Sequence, residues 1–402
     1  MEILDSHGEL QNTHLSSFDK CLKNKKRVLI VTSEGSVKRG IIDNVKSLIG
    51  PFKEVRICPS VNGVPDFFSI DGLMCIANQF KPDVILSIGG GSVADASKII
   101  SLTSGREDIC SSDLVRKNYR LDNIECVPII FVVTLPGSGA ELTTFATLWD
   151  NNNKKKYSIK IEKLQNLLTI YPISIIKKAP VNLLLYSALD ALVHGFDSLW
   201  NVNATALTRK HSIEAIGLLL NAIKKIANGL VNDEVVRMLI QGSIFAGKVI
   251  NITKTSICHS ISYPITLHHD IPHGVAVFLP LLEILHHVDE KNPNLLRGLY
   301  EVFPSKKLFC DLDNILKDPK IYSYAEMIKT KSLVTYFDEM IKSERGVNFN
   351  VDISRDDLAL IFDNLLSGVY SNSNIIMRLL FWQFLILLRI FHFIPNALER
   401  LF

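Results

Sequence analysis

The sequence predicts an α/β N-terminal domain built on a parallel, Rossmann-like sheet, followed by an all-helical C-terminal domain. Three observations predict it. Short apolar runs rich in Val and Ile alternate with helical spacing through the first half of the chain. Glycine-bearing turns follow two of those runs, and near Pro180 the β-branched clusters give way to long helical patterns. Alternating strand and helix signals mark βαβ units, whose sheet is covered on both faces and therefore reads as continuous apolar runs.

Taken in order, Arg27–Thr32 (RVLIVT) is the first strand signal, followed by helical spacing over Lys38–Ile49. Val55–Cys58 repeats the strand signal and Asp71–Phe80 the helical one. Asp83–Ile88 (DVILSI) is a third apolar run, bounded by Gly89-Gly90-Gly91, and Pro128–Thr134 (PIIFVVT) is a fourth. Beyond Pro180 the pattern is helical to about Phe303, for example over His211–Ile226 and Glu234–Ile250. The expected domains are 1–180 (dinucleotide-binding), 181–370 (helical, metal-binding) and an apolar tail, 371–402, of no assigned role, with the first boundary between Lys178 and Leu184. In the tail, Asn374–Phe393 is interrupted by Arg378, Gln383, Arg389 and His392. Interior charges of that kind favour a buried or partner-binding helix over a membrane span.

Bulk properties exclude several classes. A chain of 402 residues exceeds what one core usually organises. With 47% apolar and 21% charged residues it is a globular composition. A net charge of +3, with Lys and Arg spread out and matched by Asp and Glu, implies no nucleic-acid partner. The seven cysteines lack CxxC spacing and read as reduced thiols, and Met1–Leu22 lacks the apolar stretch of an export signal. A cytoplasmic protein is expected, with a small molecule rather than a membrane as its partner and a homodimer as its assembly.

Two turns carry a nucleotide-binding signal. Gly89-Gly90-Gly91-Ser92 lies between a strand and a helix, with Asp95 and Lys98 following. Glycines let the backbone approach an anion, and the next helix's first N–H groups are free to hold a pyrophosphate. The spacing is not GxGxxG. Thr134-Leu135-Pro136-Gly137-Ser138-Gly139-Ala140-Glu141 forms the second such turn, again at a strand's C-terminal end.

A metal constellation follows. Asp190 and His194 are four apart in SALDALVHGFDSLW, so one helical face presents both. His259 and His273 complete one carboxylate and three imidazoles, a set suited to Fe²⁺ or Zn²⁺, although His268 and His269 leave the local choice of ligands open. A cleft between two such domains suits hydride transfer from a nicotinamide to a carbonyl polarised by the metal.

At this point the sequence resembles the iron-containing (group III) alcohol dehydrogenases over about residues 27–367. The resemblance rests on GGGSxxDxxK at Gly89–Lys98, the turn Thr134–Glu141, DAxxH at Asp190–His194, and His259 with His273, separated by 14 (273 − 259). It implies metal ligation by Asp190, His194, His259 and His273, and cofactor contacts from Ser33, Gly89, Gly90, Gly91, Ser92, Asp95, Thr134, Ser138 and Lys156. Departures are equally specific. The family's TTAGTGSE turn loses hydroxyls at Leu135 and Ala140, its HxxE position is Asp197, and Tyr263 stands where many members carry a second histidine. Tyr263 and His269 are the candidate proton donors.

The stretches Phe145–Asp150, Lys155–Ser158, Asp197–Asn201 and Ile252–Thr255 resemble phosphonoacetaldehyde reductases, which reduce phosphonoacetaldehyde to 2-hydroxyethylphosphonate. That dianion needs fixed cations, and Lys156 and Lys254 are the candidates by position. A glycerol- or maleylacetate-type dehydrogenase, or a non-catalytic family member, are the alternatives. Ser33 replaces an Asp that would repel a 2′-phosphate, and Lys38 and Arg39 follow it, with Glu34 opposing. NADPH is therefore expected to be accepted, alongside NADH.

Overall fold

Strands form at β1 (Ile3–Ser6), β2 (Arg27–Thr32), β3 (Glu54–Cys58), β4 (Val84–Gly89), β5 (Ile129–Val133), β6 (Phe145–Asp150), β7 (Lys155–Lys160) and β8 (Asn166–Pro172). The computed structural model describes residues 3–6, 12–49, 53–59, 63–116, 124–328 and 333–366, so the apolar stretch Asn374–Phe393 lies outside the described residues. Six strands make one parallel sheet in the order β1-β8-β5-β4-β2-β3, while β6 and β7 form a separate antiparallel hairpin.

The inner sheet strands are apolar because both faces are covered. Alternate residues serve opposite sides. Val28, Ile30, Leu86, Ile88, Ile130 and Val132 pack on one face, under α1 (Asn12–Leu22) and α3 (Ile41–Ile49). Leu29, Val31, Ile85, Ile129 and Phe131 pack on the other, under α4 (Phe67–Phe80) and α5 (Gly91–Thr103), in a core that continues into the helical part. Each such Val, Ile or Leu taken from water contributes about 1.5–3 kcal/mol.

The helical spacing over Lys38–Ile49 resolves into two helices, α2 (Glu34–Lys38) and α3. Gly40, at φ 67°, breaks between them. Helix α4 starts at Phe67, earlier than its apolar spacing suggests, because Asp66 and Ser69 form a reciprocal capping box. The hairpin, β1 and β8 are strands that the apolar runs do not announce. KKYSIK of β7 carries exposed lysines, and β6 and β7 meet through an Asx turn in which Asp150 Oδ1 accepts the N–H groups of Asn152 and Asn153.

Past β8 the chain is helical: α6 (Ile173–Ile176), α7 (Val181–Leu199), α8 (Ala206–Ala227), α9 (Asp233–Thr253), α10 (Ile257–His269), α11 (His273–Phe278) and α12 (Leu281–Lys291), then further helices to Leu366. Helix α9 has the length and apolarity of a membrane span, but its apolar face packs on α7 and α8. The N-terminal sheet and helical C-terminal part are the predicted fold class.

The sheet order positions the site. From β2 the chain moves outward to β3, then crosses to place β4 on the other side of β2. The direction in which successive strands are added to the sheet therefore reverses between β2 and β4, and the crevice at such a switch point is where open α/β sheets bind ligands.

Candidate active site

Helix α7 is largely apolar but buries the ionisable side chains of Asp190, His194 and Asp197 on its inner surface. Burying such groups costs free energy unless something satisfies them. Asp190 Oδ1 lies 3.6 Å from His194 Nε2, 3.4 Å from His259 Nε2 and 3.8 Å from His273 Nε2. The ligand atoms of Asp190, His259 and His273 all lie within 4.8 Å of one another. His194 is not in that mutual set; its ring stacks on His259 with centroids 4.7 Å apart. Asp190 Oδ1 and His259 Nε2 are buried with no hydrogen-bond partner.

That arrangement fits a divalent cation. His259 Nδ1 is 2.7 Å from Asp197 Oδ2, which leaves Nε2 to face Asp190. Burial acts to lower the His259 pKa, but the carboxylates of Asp190 and Asp197 on its two sides overcome this and push it up to about 9. Burial likewise acts to raise Asp190, yet the surrounding imidazoles, His194 first, hold its carboxyl well below the usual range. His194 is lowered to about 4, chiefly by burial, and His273 is held well below its ordinary value by burial and then by Lys156. Asp190 is thus a carboxylate and His194 and His273 are neutral, while the proton on His259 is the one that a bound cation would displace from Nε2.

Asp197 does more than orient His259. Its carboxylate accepts the backbone N–H groups of Ser256 at 2.8 Å and Cys258 at 3.3 Å, and the Trp200 Nε1–H at 3.2 Å. It thereby caps α10, whose Ser256 makes no side-chain cap. Sequence reading registers Asp197 only as a departure; its place three residues after His194, on the Asp190 face, is the signal that could have found it.

A cavity of about 590 Å³ opens onto this cluster. Gly91, Ser92, Asp95 and Ser138 line it from the sheet side, Lys156 from the hairpin and Tyr263 from α10. Helix α5 begins at Gly91 with Gly90 as an N-cap lacking any side-chain hydrogen bond, so its first amides are free for a pyrophosphate. A Cβ on Gly91 would stand 2.2 Å from Ser138 Oγ, so the two turns need glycine to meet. Thr134 N–H donates to Gly89 O at 2.9 Å, joining the turns at their base. Asp95 accepts from Thr147 N–H at 3.0 Å and pairs with buried Lys98 at 2.8 Å. Lys98 also donates to Ala140 O and Phe145 O, fastening both turns to the hairpin.

The remaining predicted residues are placed apart. Ser33 ends β2 and caps α2, its Oγ accepting from Ser36 N–H. His269 closes α10 and does not line the cavity, whereas His268 does. Lys254 also lies outside the lining, and its ammonium pairs with Glu344 at 2.7 Å. Tyr263 lies under the Lys156 ammonium, 4.4 Å from its ring centroid, and stacks on His273 at 6.4 Å. Burial works to raise its phenol, but Lys156 and then Arg345 bring it down to about 8. Arg345 is a cavity residue that sequence reading missed, since nothing in SERGVN marks a site.

The family model described as iron-containing alcohol dehydrogenase matches residues 10–171, and its C-terminal counterpart matches residues 184–317. The 4-hydroxybutyrate dehydrogenase of Clostridium kluyveri is 28% identical over 298 residues, covering 70% of this chain and 78% of that protein. The phosphonoacetaldehyde reductase of Streptomyces viridochromogenes is 27% identical, covering 66% of this chain and 67% of that one. The chain spans about a third (32%) of the aldehyde-alcohol dehydrogenase of Clostridium acetobutylicum, at 25% identity. Among solved structures, sulfoacetaldehyde reductase from Bifidobacterium kashiwanohense in complex with NAD+ superposes with a TM-score of 0.81 at 17% identity, covering 91% of this chain and 96% of that one.

Proposed function

Because the chain belongs to the iron-containing alcohol dehydrogenase family, a family of oxidoreductases acting on alcohols and aldehydes, we propose that it is a metal-dependent, NAD(P)H-linked aldehyde reductase whose substrate is phosphonoacetaldehyde. The observation that carries the reading is the pair of buried, unpartnered atoms, Asp190 Oδ1 and His259 Nε2, facing the cavity that the free amides of α5 also border. Asp190, His194, His259 and His273 would hold an iron or zinc ion, which supplies electrophilic polarisation of a carbonyl while the nicotinamide supplies hydride.

The chain's own residues do the rest. Gly91 and Ser92 bind the pyrophosphate through backbone amides and Ser138 borders it, while Asp95 and Lys98 hold the two turns in register. Asp197 fixes the His259 ring so that Nε2 points at Asp190. Tyr263, in the cavity and under Lys156, is better placed than His269 to pass a proton to the product oxygen. The reaction balances as aldehyde, NAD(P)H and one proton going to alcohol and NAD(P)⁺. Hydride adds to the carbonyl carbon, the C–O π pair moves to oxygen, and that oxygen takes the proton.

NADPH is accepted as well as NADH, supported by Ser33 and by Arg39, whose guanidinium lies over Gly35 beside it. A homodimer in a reducing, cytoplasmic setting completes the proposal: the setting is supported by seven cysteines that form no disulfide among the described residues, and the dimer is tested by sedimentation. The deciding experiment follows NADPH and NADH oxidation with phosphonoacetaldehyde, on Fe²⁺-loaded and chelator-stripped protein. Metal-dependent turnover supports the whole reading. Activity confined to simple aldehydes keeps the reaction and removes the substrate.

A further inference from the structure

Arg345 is the least explained charge in the cavity. Only 7% of it is exposed, and among the described residues its carboxylate contact is one long ion pair, with Glu344. Nη2 donates to Ser158 Oγ at 3.3 Å, the guanidinium hydrogen-bonds Tyr263, and Glu344, the nearest carboxylate, stands at 3.5 Å. Glu344 is itself engaged by Lys254 at 2.7 Å. Across the same cavity Lys156 lies over the rings of Trp149, at 5.2 Å, and Tyr263, with no ion pair among the described residues. Two fixed cations thus border one space. A buried, under-compensated guanidinium is costly, and an oxyanion bound between the two would offset that cost with charge-assisted hydrogen bonds.

The position of Arg345 is indexed to the metal cluster. Its backbone N–H and that of Gly346 donate to Ser343 Oγ, at 3.2 and 2.9 Å. Ser343 Oγ lies 2.6 Å from the hydroxyl of Ser260, the residue after His259 on α10. Gly346 permits the tight turn, since a Cβ there would stand 2.2 Å from Met340 O. The helix that presents His259 therefore also holds the loop that presents Arg345. Lys156, two residues from Ser158 on β7, reaches the His273 ring across a single aromatic ring, that of Tyr263.

We propose that Arg345, together with Lys156, is the specificity-determining pair that reads an oxyanion on the substrate. The substrate class is a short-chain aldehyde carrying a phosphonate, sulfonate or carboxylate a few bonds from its carbonyl. This rests on the reductase reading above and assigns to Arg345 the place that sequence position suggested for Lys254.

The test has two arms, each on the full chain loaded with Fe²⁺. The first measures kcat/KM for phosphonoacetaldehyde, sulfoacetaldehyde, 3-oxopropanoate and propanal in the native protein, Arg345→Gln, Arg345→Lys and Lys156→Gln. The expected result is a ratio of anionic to neutral kcat/KM that falls by about 100-fold in Arg345→Gln, mainly through KM, with partial recovery in Arg345→Lys. Lys156→Gln, on the hairpin surface, gives a smaller fall and keeps the test open should Arg345→Gln misfold. The second arm measures binding of 2-hydroxyethylphosphonate, isethionate and 3-hydroxypropanoate by calorimetry and by Trp fluorescence. Binding that Lys156→Gln or Arg345→Gln weakens, without any turnover in the native protein, would sink the reductase reading and retain the anion site. Equal ratios in all four proteins, or product binding indifferent to both substitutions, would overturn the proposal itself.

Discussion

His259 Nδ1 lies 2.7 Å from Asp197 Oδ2, and this contact decides which ring nitrogen faces Asp190. With Nδ1–H donated to Asp197, Nε2 is the nitrogen that faces Asp190 Oδ1, at 3.4 Å. Asp197 is itself held by backbone N–H groups at the start of α10, so ring and helix are fixed together.

Asp197→Asn retains the shape but removes the charge that sets the tautomer. It should lower cation affinity by about 10–100-fold, read by competition with a chromogenic chelator, and excess Fe²⁺ should restore part of the turnover. Unchanged affinity would reduce Asp197 to a helix cap.

His273→Ala and His269→Ala make a contrasting pair. His273 is within 4.8 Å of the other ligand atoms of its cluster, whereas His269 does not line the cavity. Metal content by atomic absorption and turnover should fall together in His273→Ala and stay near native in His269→Ala. Retention of both in His273→Ala contradicts the ligand assignment, and loss of turnover alone in His269→Ala restores it as a proton donor.

Much of this was legible in the sequence, for reasons that particular residues show. The runs at Arg27–Thr32 and Asp83–Ile88 announce strands because the sheet is buried on both faces, and Gly89–Gly91 announces the approach of the two turns. Asp190 and His194 announce their shared face through helical spacing. The hairpin was hidden because the lysines of KKYSIK break the apolar pattern, and only its pairing with β6 brings Lys156 opposite Trp149. Arg345 was hidden because its contacts to Ser158 and, through Ser343, to Ser260 are long-range, and no local pattern encodes them.

Glu141 gives a pH prediction with a definite sign. It is buried and accepts the Tyr171 hydroxyl at 2.7 Å, and burial pushes its carboxyl above the ordinary value. A folded-state pKa raised above the unfolded one contributes stability that is fully present below the unfolded value, about 4.3, and is lost as pH rises through the folded one. Glu141→Gln keeps an acceptor for Tyr171 without the titration. The melting temperature of the variant relative to native should therefore climb as pH is raised through a range that begins at about 4. A constant difference across that range would mean that Glu141 titrates normally.

Gly91→Ala tests the junction of the two turns. The added Cβ would lie 2.2 Å from Ser138 Oγ and 2.8 Å from its Cβ, so one turn must move. Stability should fall by about 1–3 kcal/mol. NAD(P)H affinity, read by nicotinamide fluorescence, should fall at least about tenfold because the α5 amides shift from the pyrophosphate. Native affinity in a folded Gly91→Ala protein would place the cofactor elsewhere.

Ser33 tests the cofactor's ribose end. It stands where β2 ends, at the edge of the switch-point crevice, and its Oγ accepts the Ser36 N–H at 3.3 Å to cap α2. Asp caps a helix as well as Ser does, so Ser33→Asp should leave local structure and melting temperature near native. What changes is charge. A carboxylate there would oppose a 2′-phosphate, while Glu34 is already engaged by Lys38 at 3.6 Å and Arg39 lies over Gly35. The native protein should turn over NADPH at least as well as NADH. Ser33→Asp should shift the ratio of the two kcat/KM values toward NADH by about tenfold or more, since like charges in contact cost more than 1.4 kcal/mol. Arg39→Ala should move it the same way by a smaller factor. If the native protein already prefers NADH by more than about tenfold, or if Ser33→Asp leaves the ratio unmoved, the 2′-phosphate does not meet this corner and the charges of Lys38 and Arg39 serve only the surface.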